Sequence, residues 1–511
     1  MKVKYLLFPM VFVTLLLSEV IAQQDQKERE DYYPNARSLS RHEAAPEWFV
    51  DAKLGIYFHW GPYSVPAFGS AWYPHFMYIK GSWINKYHQE NFGAIEEFGY
   101  EDFIPMFTAE CFDPEDWANL FRMAGAKFAG PVAQHHDGFA MWDSEVNPWN
   151  AMDMGPKRDV TGELFEALKE RNIRTLATFH HARNGQRNAG NPENWGSNGY
   201  DSHYPYHPDL PTATTEPKLR KLFGNWESID LFNQYWLNQV DEVVRKYDPD
   251  ILWYDSWLNL IPVSTREQMA ANFFNNGLKN GQEVVLCHKQ DDMPLAYSVH
   301  DIEQGGRRDV SPIPWMTDIT LGERRWMYVE GEKYKDAALV VRNMIDVWSK
   351  NGIVLLNVSP RADGVINQEQ RKILKEIGGW MAIHKEAVYG TRPHTVFGWG
   401  PAKIADGTHG GQSSNVEYTA EDIRFTVAKD KNAMYVFLLG QPKPGATIEL
   451  REIGGYHRNI PPGKIRDITV LGTGQTVDWE LSPETLTLVV PDKGLNEIST
   501  VFKMELERSN K

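Results

Sequence analysis

Pro249-Asp-Ile-Leu-Trp-Tyr-Asp255 places four apolar or aromatic residues between acids. The run is too short for a helix and too apolar for a solvated loop. It fits a strand buried on both faces, as in parallel sheets. The amphipathic segment 230–247 precedes it, and Asp255 stands at its C-terminal end. The same grammar recurs on both sides. Residues 54–60, 128–134 and 175–180 read as strands before it, and 284–288 and 354–358 as strands after it. Segment 114–125 opens with Pro and acids and closes on Gly, as a helix does, and 159–171 follows suit. Strands alternating with helices imply a parallel sheet. Polar residues stand where these strands end: His59, His135, Asp255 and Glu303. A (β/α)8 barrel builds its active site at that end of its strands. The expected fold class is therefore α/β, with a (β/α)8-like barrel over residues 42–391.

Beyond residue 391 helical periodicity stops. Short alternating runs at 424–428, 433–439, 447–450, 468–471, 486–490 and 497–502 are separated by Gly, Pro and Asp. They predict a C-terminal antiparallel β-sandwich over 392–511.

At the other end, Lys2 and Lys4 precede an apolar run, Tyr5 to Leu17, followed by Val20-Ile21-Ala22 and polar Gln23-Gln24-Asp25. This reads as a signal peptide over 1–22 and a secreted or periplasmic product. The run falls short of the roughly 20 residues of a spanning helix, and no other stretch is long enough, so no membrane span is expected after cleavage. Residues 23–41 are polar and read as a mobile leader. With 511 residues, 53 Lys and Arg against 68 Asp and Glu, and a net charge of −15, the chain repels phosphate backbones, which argues against nucleic acid as a partner. The two cysteines, Cys111 and Cys287, have no CxxC spacing, and read as a disulfide or as two buried thiols.

Several histidines converge on the strand ends: His59, His135, His136, His180 and His181. Imidazoles can bind metal or hydrogen-bond sugar hydroxyls. Adjacent residues on a strand point to opposite faces, so His135 and His136 are not expected to share one ion, and no metal or other cofactor is assigned. Trp253 lies two residues before Asp255, hence on the same face. A carboxylate beside an aromatic platform suits glycoside hydrolysis, where positive charge develops on the sugar. Glu303, after Ile302, reads as a strand end and can supply the second carboxylate. Asp318, beyond Pro312 and Pro314, reads as a loop residue and is the second choice.

Taken together, Lys53-x-Gly55-x-Tyr-Phe-His59-Trp60-Gly61-Pro62, Ala71-Trp72-Tyr73, His135-His136-Asp137-Gly138-Phe139, Pro156-x-Arg158-Asp159, Trp253-Tyr254-Asp255 and Asn351-Gly352-x-x-Leu355-Leu356-Asn357 resemble glycoside hydrolase family 29, the α-L-fucosidases. The resemblance implies a barrel followed by a β-sandwich, and a retaining, metal-free exo-hydrolase of terminal α-L-fucose in oligosaccharides or polysaccharides. Position by position, it implies Asp255 as nucleophile, His59, His135 and His136 as fucose ligands, Trp253 as a pocket aromatic and Trp72 as the Trp of a Glu-Trp-Tyr motif. His180 stands where many members have a Tyr that touches the sugar. Two positions depart from the family. The Glu of Glu-Trp-Tyr is Ala71, and a Trp-Glu pair that supplies the acid/base in many members is Trp315-Met316. Glu303 is then the expected acid/base, with Asp318 behind it. The same departures carry the alternative, a catalytically impaired fucose-binding protein on the same fold.

Overall fold

The computed structural model describes residues 31–186, 202–205, 207–404, 416–451, 453 and 464–507. The expected signal peptide lies outside them. Eight parallel strands close into a barrel in chain order: β1 (Leu54–Phe58), β2 (Phe128–Gln134), β3 (Arg174–Phe179), β4 (Ile251–Tyr254), β5 (Val285–Lys289), β6 (Val299–Asp301), β7 (Trp315–Thr320) and β8 (Gly352–Val358). Closure is made by β1, whose Ile56 pairs with Ala129 of β2 and Leu356 of β8. The barrel is filled with side chains, among them Tyr57, Phe128, Leu176, Trp253, Cys287, Met316 and Leu355.

The helices between strands start and stop where local chemistry dictates. In Pro114–Ala124, Asp113 caps the start by accepting the Asp116 N–H at 3.1 Å, and Pro occupies the first turn, where its missing N–H costs nothing. Gly125 then turns the chain with φ 96°, a left-handed conformation that favours glycine. In β2, a side-chain carbon on Gly130 would lie 1.6 Å from the Leu176 carbonyl, so only glycine lets β2 approach β3 there.

The β6–β7 seam is the thinnest: one pair, Asp301 with Met316, joins the two strands. Hydrogen bonds past the strand end extend it. Ile302 N–H donates to Met316 O at 2.9 Å, Gln304 N–H to Asp318 O at 2.8 Å, and the Thr317 hydroxyl to Ile302 O at 2.7 Å. Asp318 therefore sits inside β7, fully buried, and not in a loop as the prolines before it suggested.

Beyond helix Gln368–Val388 come two antiparallel sheets. One has five strands in the order β13-β16-β11-β10-β9: Ile465–Val470, Thr500–Leu506, Ala433–Leu438, Ile423–Ala428 and Thr391–Trp399. The other has three, β12-β15-β14: Thr447–Leu450, Leu486–Val489 and Asp478–Leu481. Alternation along β11 explains their packing. Met434, Val436 and Leu438 enter the core between the sheets, while Tyr435 and Phe437 join the barrel's core. Helices Ala337–Ser349 and Gln368–Val388 lie against the five-stranded sheet. A buried ion pair fixes this contact: Asp346 Oδ1 meets Arg424 Nε at 2.6 Å.

Two sequence expectations change. From residue 31 the leader packs on the barrel's helix Val263–Asn280: Tyr32 N–H donates to Asn275 Oδ1 at 2.7 Å, and the Tyr32 ring meets Phe274 edge-on at 5.4 Å. The cysteines are neither paired nor both buried. Cys111 is exposed and Cys287 lies inside the barrel, each a free thiol.

Candidate active site

The C-terminal mouth of the barrel holds a cavity of about 160 Å³, lined by His59, Ser70, Ala71, Trp72, His135, His136, His180, Asp255, Ser256, Trp257, Lys289, Glu303 and Trp326. Strand ends and the loops that leave them supply these side chains. The turns are sharp: Trp257, Gln290 and Gln304, just past Asp255, Lys289 and Glu303, have φ of 77°, 56° and 44°. A left-handed turn is uncommon for residues with a side chain and clusters at functional sites. Here it takes the chain out of the barrel immediately after each charged group.

Lys289, at the end of β5, is the hub. Its ammonium lies 3.0 Å from Asp255 Oδ1, 2.8 Å from Glu303 Oε2 and 3.0 Å from Asp318 Oδ2. The bonds to Asp255 and Glu303 together cap the separation of those two oxygens at about 5.8 Å. The other Asp255 oxygen faces His136 Nε2 at 3.1 Å and His180 Nδ1 at 3.2 Å. Burial by itself would raise the Asp255 carboxyl, but Lys289 and then the imidazoles outweigh it and hold the group well below the usual carboxylate range. The Lys289 amine moves the other way. Burial would lower it, yet the carboxylates around it keep it well above an ordinary lysine. Under the hub, Asp301 accepts from Trp253 Nε1 at 2.9 Å, and Asp318 accepts from the Tyr57 hydroxyl at 2.8 Å. Burial and then the neighbouring Asp318 push the Asp301 carboxyl well up, so it keeps a proton.

Histidines form the opposite wall. The ring centroids of His135 and His136 are 4.7 Å apart, and both residues line the cavity. The expectation that they point to opposite faces fails because β2 ends at Gln134, and the chain has left the strand where they stand. His59 Nδ1 is 2.7 Å from Asn357 Oδ1, which fixes its ring. His135 Nδ1, His136 Nδ1 and His180 Nε2 are buried and make no hydrogen bond among the described residues. Burial holds His59 and His135 well below the usual histidine range and His136 down to about 4, so these rings are neutral and each has one donor and one acceptor nitrogen.

Imidazoles with free nitrogens, an ionised Asp255 with Glu303 beside it, and the aromatic faces of Trp72, Trp257 and Trp326 suit a polyhydroxylated ring. Residues 19–386 match the family model described as α-L-fucosidase. The chain belongs to the α-L-fucosidase family, glycoside hydrolase family 29. It is 31% identical to the tissue α-L-fucosidase of Rattus norvegicus, the match covering 98% of this chain and 97% of that one. The tissue α-L-fucosidase of Bos taurus is 28% identical over 90% of this chain and 86% of its own. Among solved structures, the Thermotoga maritima α-fucosidase in complex with fucose superposes with a TM-score of 0.72 at 28% identity, covering 93% of this chain and all of that one.

Against this α-L-fucosidase frame, the structure brings His59, Trp72, His135, His136, His180, Asp255 and Glu303 into one cavity. It keeps two sequence candidates out of the lining. Trp253 is fully buried one layer below, between Lys289 and Tyr57, where it supports the cavity floor. Asp318 touches the hub from beneath. Met316 lies deeper still, in the barrel interior. Lys289, Trp257 and Trp326 were missed. Lys289 precedes Gln290-Asp291-Asp292 and reads as a surface turn residue; the one available signal was its place at the end of a strand-like run.

Two trios present ligand atoms within 4.8 Å of one another: His59, His135 and His180, and His136, His180 and Asp255. The second fits a divalent ion poorly, because Lys289 already supplies Asp255 with positive charge and like charges repel.

Proposed function

We propose that this enzyme is a retaining exo-α-L-fucosidase, releasing terminal α-L-fucose from glycans or fucose-containing polysaccharides through a covalent fucosyl-enzyme. The observation that carries the mechanism is the pair on Lys289. Two carboxyl oxygens no more than about 5.8 Å apart suit double displacement, where the carboxyls lie about 5–5.5 Å apart. They do not suit inversion, which needs roughly 6.5–9.5 Å to admit a water.

In this reading the histidine wall and Trp72 orient the sugar. An Asp255 oxygen bonds to the anomeric carbon as the bond to the leaving oxygen breaks, and Glu303 gives that oxygen its proton. Water then yields a proton to Glu303, bonds to the anomeric carbon and expels the Asp255 carboxylate. Lys289 keeps Asp255 ionised for the first step. Glu303 is preferred to Asp318 as acid/base because it faces the cavity, its side chain 17% exposed against 1% for Asp318. The proposal includes secretion or periplasmic location, from the N-terminal sequence; no helix among the described residues is long and apolar enough to cross a membrane. Residues 42–391 and 392–511 are proposed as the two structural units.

Proton NMR during hydrolysis of an aryl α-L-fucoside tests the mechanism. α-Fucose should appear first and mutarotate later. β-Fucose as the first product would overturn double displacement, and no turnover of any fucoside would favour the fucose-binding alternative.

A further inference from the structure

The cavity has room for a single small ring, so whatever the fucose is attached to must lie outside its mouth. Two loops form the rim on one side. The loop after β1 supplies Ser70, Ala71 and Trp72, and the loop after β7 supplies Trp326. They are tied together where Glu330 N–H donates to Ala67 O at 2.9 Å and where His59 bridges Met327.

The same two loops carry an aromatic cluster next to the cavity wall. Phe68 stacks on Tyr87 with centroids 3.6 Å apart and planes 6° apart, and its other contact is Trp83, 4.8 Å away. Arg325, adjacent to Trp326, lies over the Trp83 ring at 5.7 Å. Trp83 opens helix Trp83–Asn91, which is held by its Ser82 cap and by buried Ile84. Its ring sits beside Gly69, the residue before Ser70: a side-chain carbon on Gly69 would lie 3.5 Å from the ring's tip. Despite these supports Trp83 is 50% exposed. Among the described residues Arg325 has no carboxylate partner, and Glu332, the acid nearest its backbone, accepts the N–H groups of Arg324 and Arg325. A rigid half-exposed indole, with a guanidinium at its side that has no carboxylate partner among the described residues, offers flat apolar surface together with hydrogen-bond donors. That combination matches the CH face and hydroxyls of a pyranose.

We infer that Trp83, Phe68 and Arg325 form a leaving-group subsite that binds the sugar residue to which the fucose is linked, Trp83 stacking on its ring and Arg325 donating to its hydroxyls. The inference rests on the fucose pocket proposed above.

The test compares a fucosyl-galactose disaccharide with α-L-fucosyl fluoride, whose leaving group is too small to reach the shelf. Trp83→Ala should lower kcat/KM on the disaccharide roughly tenfold and leave the fluoride rate unchanged. Arg325→Ala should show the same split more weakly, and Trp83→Phe should restore most of the loss. Equal losses on both substrates, or none on either, would overturn the subsite. Calorimetric binding in an Asp255→Asn background, which blocks cleavage, keeps the test independent of turnover. That variant should bind the disaccharide more tightly than free fucose, and adding Trp83→Ala should close the gap. Absence of the gap also overturns the subsite, whereas failure to bind fucose at all, in this variant and in the wild type, overturns the pocket itself.

Discussion

Lys289 shows how one buried charge sets the chemistry of its neighbours. Its ammonium is the largest influence holding Asp255 ionised. In the proposed mechanism Asp255 must be deprotonated to attack, so activity is expected to fall as pH drops through the Asp255 pKa. Removing the ammonium raises that pKa. Lys289→Met is therefore expected to move the acid limb of kcat/KM upward by about one to three pH units, and Lys289→Arg to leave it near the wild-type position. A limb that stays put in Lys289→Met would assign the control to the histidines. The two remaining acids on the hub separate by leaving group. Glu303→Ala should cost about 10²–10⁴ in rate on a sugar leaving group and spare the first turnover of a fluoride, because only the poor leaving group needs a proton; slow deglycosylation then leaves a burst. Asp318→Ala should show no such split. It takes one of three carboxylates from Lys289 and leaves the Tyr57 hydroxyl without its partner, so its expected signature is a loss of stability of about 1–3 kcal/mol in denaturant melts. The reverse pattern would make Asp318 the acid.

At the scale of elements, helix Ala337–Ser349 links the barrel to the C-terminal sheets. Asp346 holds Arg424 of β10 through one oxygen and Lys350 through the other, at 2.6 and 2.9 Å, all three side chains only 2% exposed. Nothing in that trio touches the cavity. Asp346→Ala strands two buried cations, so it should cost about 3–5 kcal/mol of stability while leaving kcat/KM unchanged below the melting transition. A loss of activity without a loss of stability would mean that the helix transmits something to the site. Element reading also explains what the sequence hid. Strands β1 to β5 and β8 are apolar runs flanked by turn residues, and alternation marks most of the C-terminal strands. β6 has three residues, two of them His300 and Asp301, and β7 carries Thr317, Asp318 and Thr320. β6 reads only as the strand end at Glu303, and β7 reads as loop because Thr317 and Asp318 find their partners in the β6 backbone, Tyr57 and Lys289.

The whole molecule is built around buried neutral histidines, which makes it acid-sensitive. Burial lowers His42, His75, His136 and His384 to about 4, and His181 and His288 to about 3. In the unfolded chain each takes up a proton near pH 6.5. Between pH 6.5 and about 4 the unfolded state therefore binds more protons, and stability falls with pH. Two buried carboxyls oppose this, Asp137 raised to about 7 and Asp292 to about 6, because both hold protons longer when folded. Six groups against two leave the histidines dominant. The melting temperature should drop between pH 7 and pH 5, as followed by circular dichroism. A flat or rising melting temperature across that interval would mean that the rings are hydrated and titrate as in solution.

Periodicity alone determined the layered order of this protein, because buried parallel strands must be apolar and their helices amphipathic. It also marked Asp255, Glu303 and the histidines, because polar residues at the ends of apolar strands have no packing reason to be there. Tertiary structure alone decided which of these groups touch. Lys289, Glu303, Asp318 and Asp255 come from four different strands or strand ends, and only closure of the barrel brings three carboxylates to one ammonium. Trp253 had the right neighbour in sequence but the wrong depth, since strand tilt and barrel layering, which no local pattern encodes, set how far each side chain stands from the mouth.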